Sequence, residues 1–280
     1  MSSRTEKSKE IVSVGGEAPP DWLVAYADED KSLVEASKYR VLNRLKIIQG
    51  SSSSELKKKH GEGAVILSPG NVLVAGVGEK FTFVGLMMFT EWCTWSDIND
   101  KASPSILDRS FDPTCDIAKK AAVKETRFEE YEGSSNAAKP FNMRHVEHIN
   151  IAGVIYNPEH PLHGQPTTLS YARGEFGTGR TFLSACMMRK VQGKQVPLYC
   201  QVWDFSTSLR DLNDNEWYGY DHSPPESPYI KREEVEVFKA MHEQLADDYA
   251  KNRIRVDHSD AEDEAGEASV SSVDNEFDAS

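Results

Sequence analysis

Cysteine is scarce and scattered. Cys93, Cys115, Cys186 and Cys200 form no CxxC pair, so neither a disulfide framework nor a zinc ribbon is expected, and the thiols read as reduced and partly buried. Long apolar runs are missing as well, so no segment suits a membrane-spanning helix and no membrane partner is expected. The first ten residues, MSSRTEKSKE, hold no apolar core of a signal peptide, which predicts a cytoplasmic chain. Positive charge is in deficit: Lys and Arg number 32 against 45 Asp and Glu, and the formal net charge is −13. That excludes a chain-wide polycation, so any contact with phosphates has to be local. Catalytic signatures are absent too. There is no GxSxG, no HExxH and no pair of carboxylates in a plausible context, and GEFGTGR at 174–180 has neither GxGxxG nor a GKS or GKT ending. No enzyme activity and no cofactor is therefore expected.

What the chain does hold is one concentrated stretch, 167–210. It carries Arg173, Arg180, Arg189, Lys190, Lys194 and Arg210 against Glu175 and Asp204, a local charge of +4. Among those cations sit Tyr171, Phe176, Phe182, Tyr199, Trp203 and Phe205. Cations track a phosphate backbone, and flat rings stack on bases that no duplex already stacks. The stretch reads either as a surface for single-stranded nucleic acid or as a sheet core with a solvated edge, because aromatic and β-branched residues favour strands in any case.

Around it, 280 residues at 39% hydrophobic content suffice for a core in one or two domains. Residues 1–37 read as a polar, flexible leader with a short helix capped by Asp21, where Trp22, Leu23, Tyr26, Leu33 and Val34 form a loose apolar face. Residues 38–230 form the main body. In it, Arg44 and Lys46 belong to a basic run, and the serines at 51–54 with Lys57, Lys58 and Lys59 read as a mobile, positive loop. Apolar runs at 64–89, punctuated by Pro69-Gly70-Asn71, predict strands, with Trp92 and Trp95 beside the sheet as core or stacking platform. Residues 97–139 read as a surface insertion with a short helix near Cys115. Strands are predicted at 146–156, 168–173 and 196–207, and GRTFLSACMMRK as a helix with Phe182, Leu183, Cys186 and Met187 on one face. EWYGY at 216–220 adds a ring cluster, and 231–256 an amphipathic helix through Val235, Phe238, Met241, Leu245 and Tyr249. The fold class is mainly β with peripheral helices.

Two further features bear on function. His145, His148, His160 and His163 come in pairs three apart. Strand alternation sends the first pair to opposite faces, and no zinc spacing results. Residues 257–280 hold nine carboxylates and no Lys or Arg, which predicts a disordered tail. Such a tail competes electrostatically for a basic groove, recruits a partner, or only aids solubility.

The acidic tail, the aromatic and basic sheet before it and the missing catalytic motifs resemble phage and bacterial single-stranded DNA-binding proteins. RLKIIQGSSSSELK in 44–63 and GTGRTFLSACMMRK with VPLYCQVWDF in 177–205 are similar to segments of large-phage proteins of this type. The resemblance implies an OB-like antiparallel barrel with insertions, acting in the host cytoplasm. It implies that Trp92, Trp95, Tyr171, Trp203 and Phe205, beside Phe176, stack on bases. Arg173, Arg180, Arg189, Lys190 and Arg210 would neutralise phosphates. It further implies that a tip holding Asp274, Glu276, Phe277 and Asp278 recruits replication or recombination proteins. A virion or scaffold protein, and a metal-dependent nuclease using Asp and His, are the competing classes.

Overall fold

Two long strands, paired antiparallel over most of their length, carry the architecture. The protein, here a computed structural model, is described for residues 41–97, 105–123, 142–212 and 215–258. In chain order the strands are β1 (Val41–Leu42), β2 (Arg44–Ile47), β3 (Val65–Ser68), β4 (Val72–Ala75), β5 (Phe81–Asp97), β6 (Ser105–Ser110), β7 (Asn142–Ile155), β8 (Pro166–Ala172), β9 (Lys190–Val191), β10 (Lys194–Gln195), β11 (Val202–Leu212), β12 (Asn215–Ser223) and β13 (Arg255–Val256). The helices are α1 (Ser54–His60), α2 (Asp116–Ala122), α3 (Phe176–Met188) and α4 (Val235–Ala250). Nine strands form one sheet in the order β12-β11-β5-β7-β8-β2-β3-β4, with β6 also on β5. All its pairs are antiparallel except β2 with β8, which meet in parallel at Arg44 and Thr168 alone. The sheet curls into a half-barrel, so the protein is mainly β with peripheral helices.

Each face of the sheet carries one of the two longest helices, α3 or α4. Phe81 and Phe83 of β5 join Leu169, Tyr171, Trp203, Phe205 and the α3 residues Phe182 and Cys186 on one face. Val84 and Leu86 join Val202, Ile254, Val256 and the α4 residues Phe238 and Leu245 on the other. A bulge between Gly85 and Met87 shifts the register of β5 against β7. Beyond it the odd-numbered residues of β5 turn to the α4 face, Phe89 first.

Several expectations change against this frame. The serine-lysine segment is helix α1, not a mobile loop: Ser53 caps it by accepting from the Leu56 amide at 3.3 Å, and Leu56 is buried. Trp92 and Trp95 lie within β5 rather than beside the sheet. The strand expected over 196–207 starts only at Val202, because Leu198–Cys200 form a 3-10 turn after Pro197. Part of the expected insertion is β6, paired to β5. Met187 does not share the buried face of α3 and is 59% exposed. The acidic tail begins later than expected: the Asp257 amide donates to Leu42 O at 3.0 Å and His258 is buried. The leader lies outside the described residues, as do Asp274, Glu276, Phe277 and Asp278 of the tail. No helix among the described residues is long and apolar enough to cross a membrane.

Candidate functional site

The curled sheet is fastened by side chains where β12 approaches β2. The Gln49 amide pairs with the Tyr218 backbone in both directions, Nε2 donating to Tyr218 O and Oε1 accepting from Tyr218 N, each at 2.8 Å. It mimics a ladder partner that the strands themselves do not supply. Tyr220 Oη donates to Leu45 O at 3.0 Å, and Thr207 Oγ1 to Gly63 O at 2.5 Å. Gly63 sits at φ +88° with the Tyr218 ring 2.6 Å from where a Cβ would be. Only glycine fits both the conformation and the space.

β2 parts from β8 immediately after their single pair, and a cleft of about 320 Å³ opens there. Its lining joins Arg44, Lys46, Gln49, Ser51 and Ser52, from β2 and the turn after it, to Glu175, Trp217, Tyr218 and Tyr220, with the buried His148 as floor. Trp217 is half-buried and held by donation from Nε1 to Glu175 Oε1 at 2.9 Å. The arrangement gathers cations, hydroxyls and partly exposed rings at one opening.

Behind the floor lies a buried polar network. Glu91 and Asn150 are fully buried, and His148 and His258 are 5% exposed. Arg44 Nη1, which can only donate, lies 3.3 Å from His258 Nδ1. His258 Nε2 in turn lies 2.8 Å from Glu91 Oε2. Glu91 Oε1 accepts from Arg109 at 3.4 Å. Likewise Trp95 Nε1 donates to His148 Nε2 at 3.2 Å, leaving the Nδ1 proton for Ser170 Oγ at 3.3 Å. Burial raises the Glu91 pKa, with Arg109 pulling it back down. Burial, then the neighbouring His258, hold the His148 pKa well below the usual imidazole range. A chain of bonds thus runs from the interior carboxylate to Arg44 in the cleft wall.

Glu91, Cys93 and His258 bring three metal-ligating atoms within 4.8 Å of one another, all buried. The donor set fits a metal poorly, because the guanidinium of Arg109 already meets Glu91 and that of Arg44 lies against His258. Burial also pushes the Cys93 thiol far up, away from thiolate. The four histidines singled out in the sequence are not gathered. His145 bonds Thr94 while His148 bonds Trp95, on opposite faces of the sheet, and His160 holds a turn through Val74 O and the Leu162 amide.

The predicted stacking rings are mostly core. Tyr171 and Phe205 are fully buried, Trp203 is 4% and Trp95 9% exposed. Phe205 packs on Phe81, Phe83 and Phe182. Tyr171 packs against Tyr220. Alternation drives Tyr171, Trp203 and Phe205 onto the face that α3 covers, and Trp95 packs with Cys93 and Val146, so none of them can meet a base without unfolding. Phe176 packs half-buried against the same core, and Trp92 is half-buried on β5. Two predicted phosphate ligands are structural. Arg189 lies 3.6 Å over the Trp203 ring and donates to Val202 O and Pro228 O. Arg210 bonds Tyr220 O and Asp221. Arg173, Arg180 and Lys190 are exposed, but on three different elements. Sequence reasoning passed over Arg44, Lys46, Trp217 and Tyr218 as a site. Its signals, a basic run and EWYGY, lie about 170 residues apart and meet only through the curl of the sheet.

No curated protein and no solved structure matches the chain. Residues 14–250 match a family described as Pam3 phage gp34-like protein. With that match spanning most of its length, the chain belongs to the Pam3 phage gp34-like protein family.

Proposed function

We propose that the protein binds single-stranded nucleic acid, and that the binding surface is the cleft between β2 and β12 rather than the broad face of the sheet. The supporting observation is that Arg44, Lys46 and Ser51 line the same cleft as the partly exposed Trp217 and Tyr218. Such a site neutralises phosphates with its cations and stacks bases on its rings, at about 1–3 kcal/mol per stacked base. A half-barrel carrying the site near its seam is compatible with an OB-like reading of the body. DNA replication or recombination is the setting this reading suggests, with the acidic tail competing for the cleft or recruiting a partner enzyme. Titration of the full chain with a short oligonucleotide, followed by tryptophan fluorescence, tests it. Quenching that weakens with salt is expected, and Lys46→Ala reduces the salt slope by about 1. No quenching at low salt, or a salt slope unchanged in Lys46→Ala, would sink the proposal.

One observation favours a second reading, an assembly or virion role. β4 ends the sheet with Val72, Leu73 and the nearby Val77 at 45%, 41% and 55% exposure. An open, apolar edge is a surface for a further strand. Light scattering without nucleic acid decides it: large symmetric particles support assembly, and a monodisperse small species counts against it.

A further inference from the structure

An apolar groove of about 500 Å³ lies on the α4 face, between α4 and the starts of β1 and β8. Met241 and Leu245 form one side, Val41 and Pro166 the other, and Leu42 and Leu86 the base. Leu42, Leu86 and Leu245 are packed into the core, but Val41 is 54% exposed at the rim. The groove is where the chain enters the described fold, since Val41 is the first described residue and itself lines the opening.

The segment just before it carries Trp22, Tyr26 and Leu33 at steps of four and seven, with Leu23 and Val34 alongside. That spacing makes one apolar stripe on a helix. Six residues, 35–40, separate Val34, the last of this pattern, from Val41. So short a tether keeps the local concentration of the segment at the groove high. The family match begins at residue 14 and so takes in the whole apolar segment, whereas it stops at residue 250, before the acidic tail.

We propose that the groove between α4 and β1 is the seat of residues 22–36 of the same chain, with Trp22, Tyr26 and Leu33 inserted against Met241 and Leu245. Hydrogen exchange read by mass spectrometry on the full chain tests this. Amides in 22–36 exchange about tenfold or more slowly in the wild type than in Met241→Glu, which places a carboxylate on the groove wall. Trp22→Asp, which lies outside the described fold, in turn speeds exchange in peptides covering Val41–Asn43 and Ala240–Leu245. Should Met241→Glu unfold the protein, this reciprocal variant carries the test alone. Unprotected amides in 22–36 of the wild type would overturn the proposal, as would groove peptides indifferent to Trp22→Asp. Protection that fades on dilution would also overturn it, because the occupant would then be the segment of a second copy.

Discussion

Trp203 and Trp217 stand fourteen residues apart and are assigned opposite roles, so replacing each by alanine separates core from cleft. Trp203 is 4% exposed, packs edge-on to Phe182 at 5.3 Å and lies under Arg189. Truncating a buried Trp to Ala costs about 3–5 kcal/mol. Removing the ring also leaves the Arg189 guanidinium without its flat neighbour. At roughly 2–4 °C per kcal/mol for a domain of this size, Trp203→Ala lowers Tm by roughly 6–20 °C. Trp217 is half-buried, and its loss removes one hydrogen bond to Glu175, about 0.5–1.5 kcal/mol. Its stacking share is larger: about 1–3 kcal/mol, or roughly 5- to 150-fold in Kd for an oligonucleotide. Thermal melting and fluorescence anisotropy with a labelled oligonucleotide read the two effects separately. The expected pattern is a crossed one, with Trp203→Ala unstable but binding below its Tm, and Trp217→Ala stable but weak. A folded Trp203→Ala that fails to bind, beside a Trp217→Ala that binds like the wild type, refutes the assignment.

Other consequences are open to measurement. Arg109→Gln removes the guanidinium beside the buried Glu91, and stability falls by about 1–3 kcal/mol at neutral pH. The loss shrinks as pH falls through the raised Glu91 pKa, already above 4.5, because a protonated carboxyl needs no cation; a denaturant series at several pH values checks this. The His148 pKa is depressed in the fold by burial and by His258, with Arg44 and Arg173 acting in the same direction and Glu91 opposing. The unfolded chain therefore binds a proton near pH 6.5 that the folded chain refuses, so stability declines as pH drops below that value. His148→Gln flattens that slope, by up to about 1.4 kcal/mol per pH unit. Gly63→Ala puts a Cβ against the Tyr218 ring at positive φ, and lowers stability by about 1–3 kcal/mol while weakening oligonucleotide binding. Ending the chain after His258 removes negative charge and tightens oligonucleotide binding at low salt, whereas ending it after Val256 also removes the Glu91 partner and lowers Tm.

Local patterns carried much of the architecture. Alternating apolar residues marked β7, apolar runs marked the first half of β5, and the four-residue step of Phe182 to Cys186 and the seven-residue step of Phe238 to Leu245 marked α3 and α4. These signals are short-range, because side-chain direction follows from backbone period alone. Alternation also left open which side of a strand is wet. Tyr171, Trp203 and Phe205 show the same residue types whether a sheet face is bare or roofed by a helix. Only the packing of α3 onto that face decided that they are core. Arg189 and Arg210 looked like phosphate ligands because sequence displays charge but not the carbonyls and carboxylates it meets. The cleft belongs wholly to tertiary structure. Arg44 and Trp217 come together because a twisted sheet curls on itself and Gln49 and Tyr218 fasten its ends. No periodicity within either segment encodes that meeting. The place of His258 has the same origin: β13, pairing with β1 and burying Val256, draws the root of an acidic tail into the core beside Glu91.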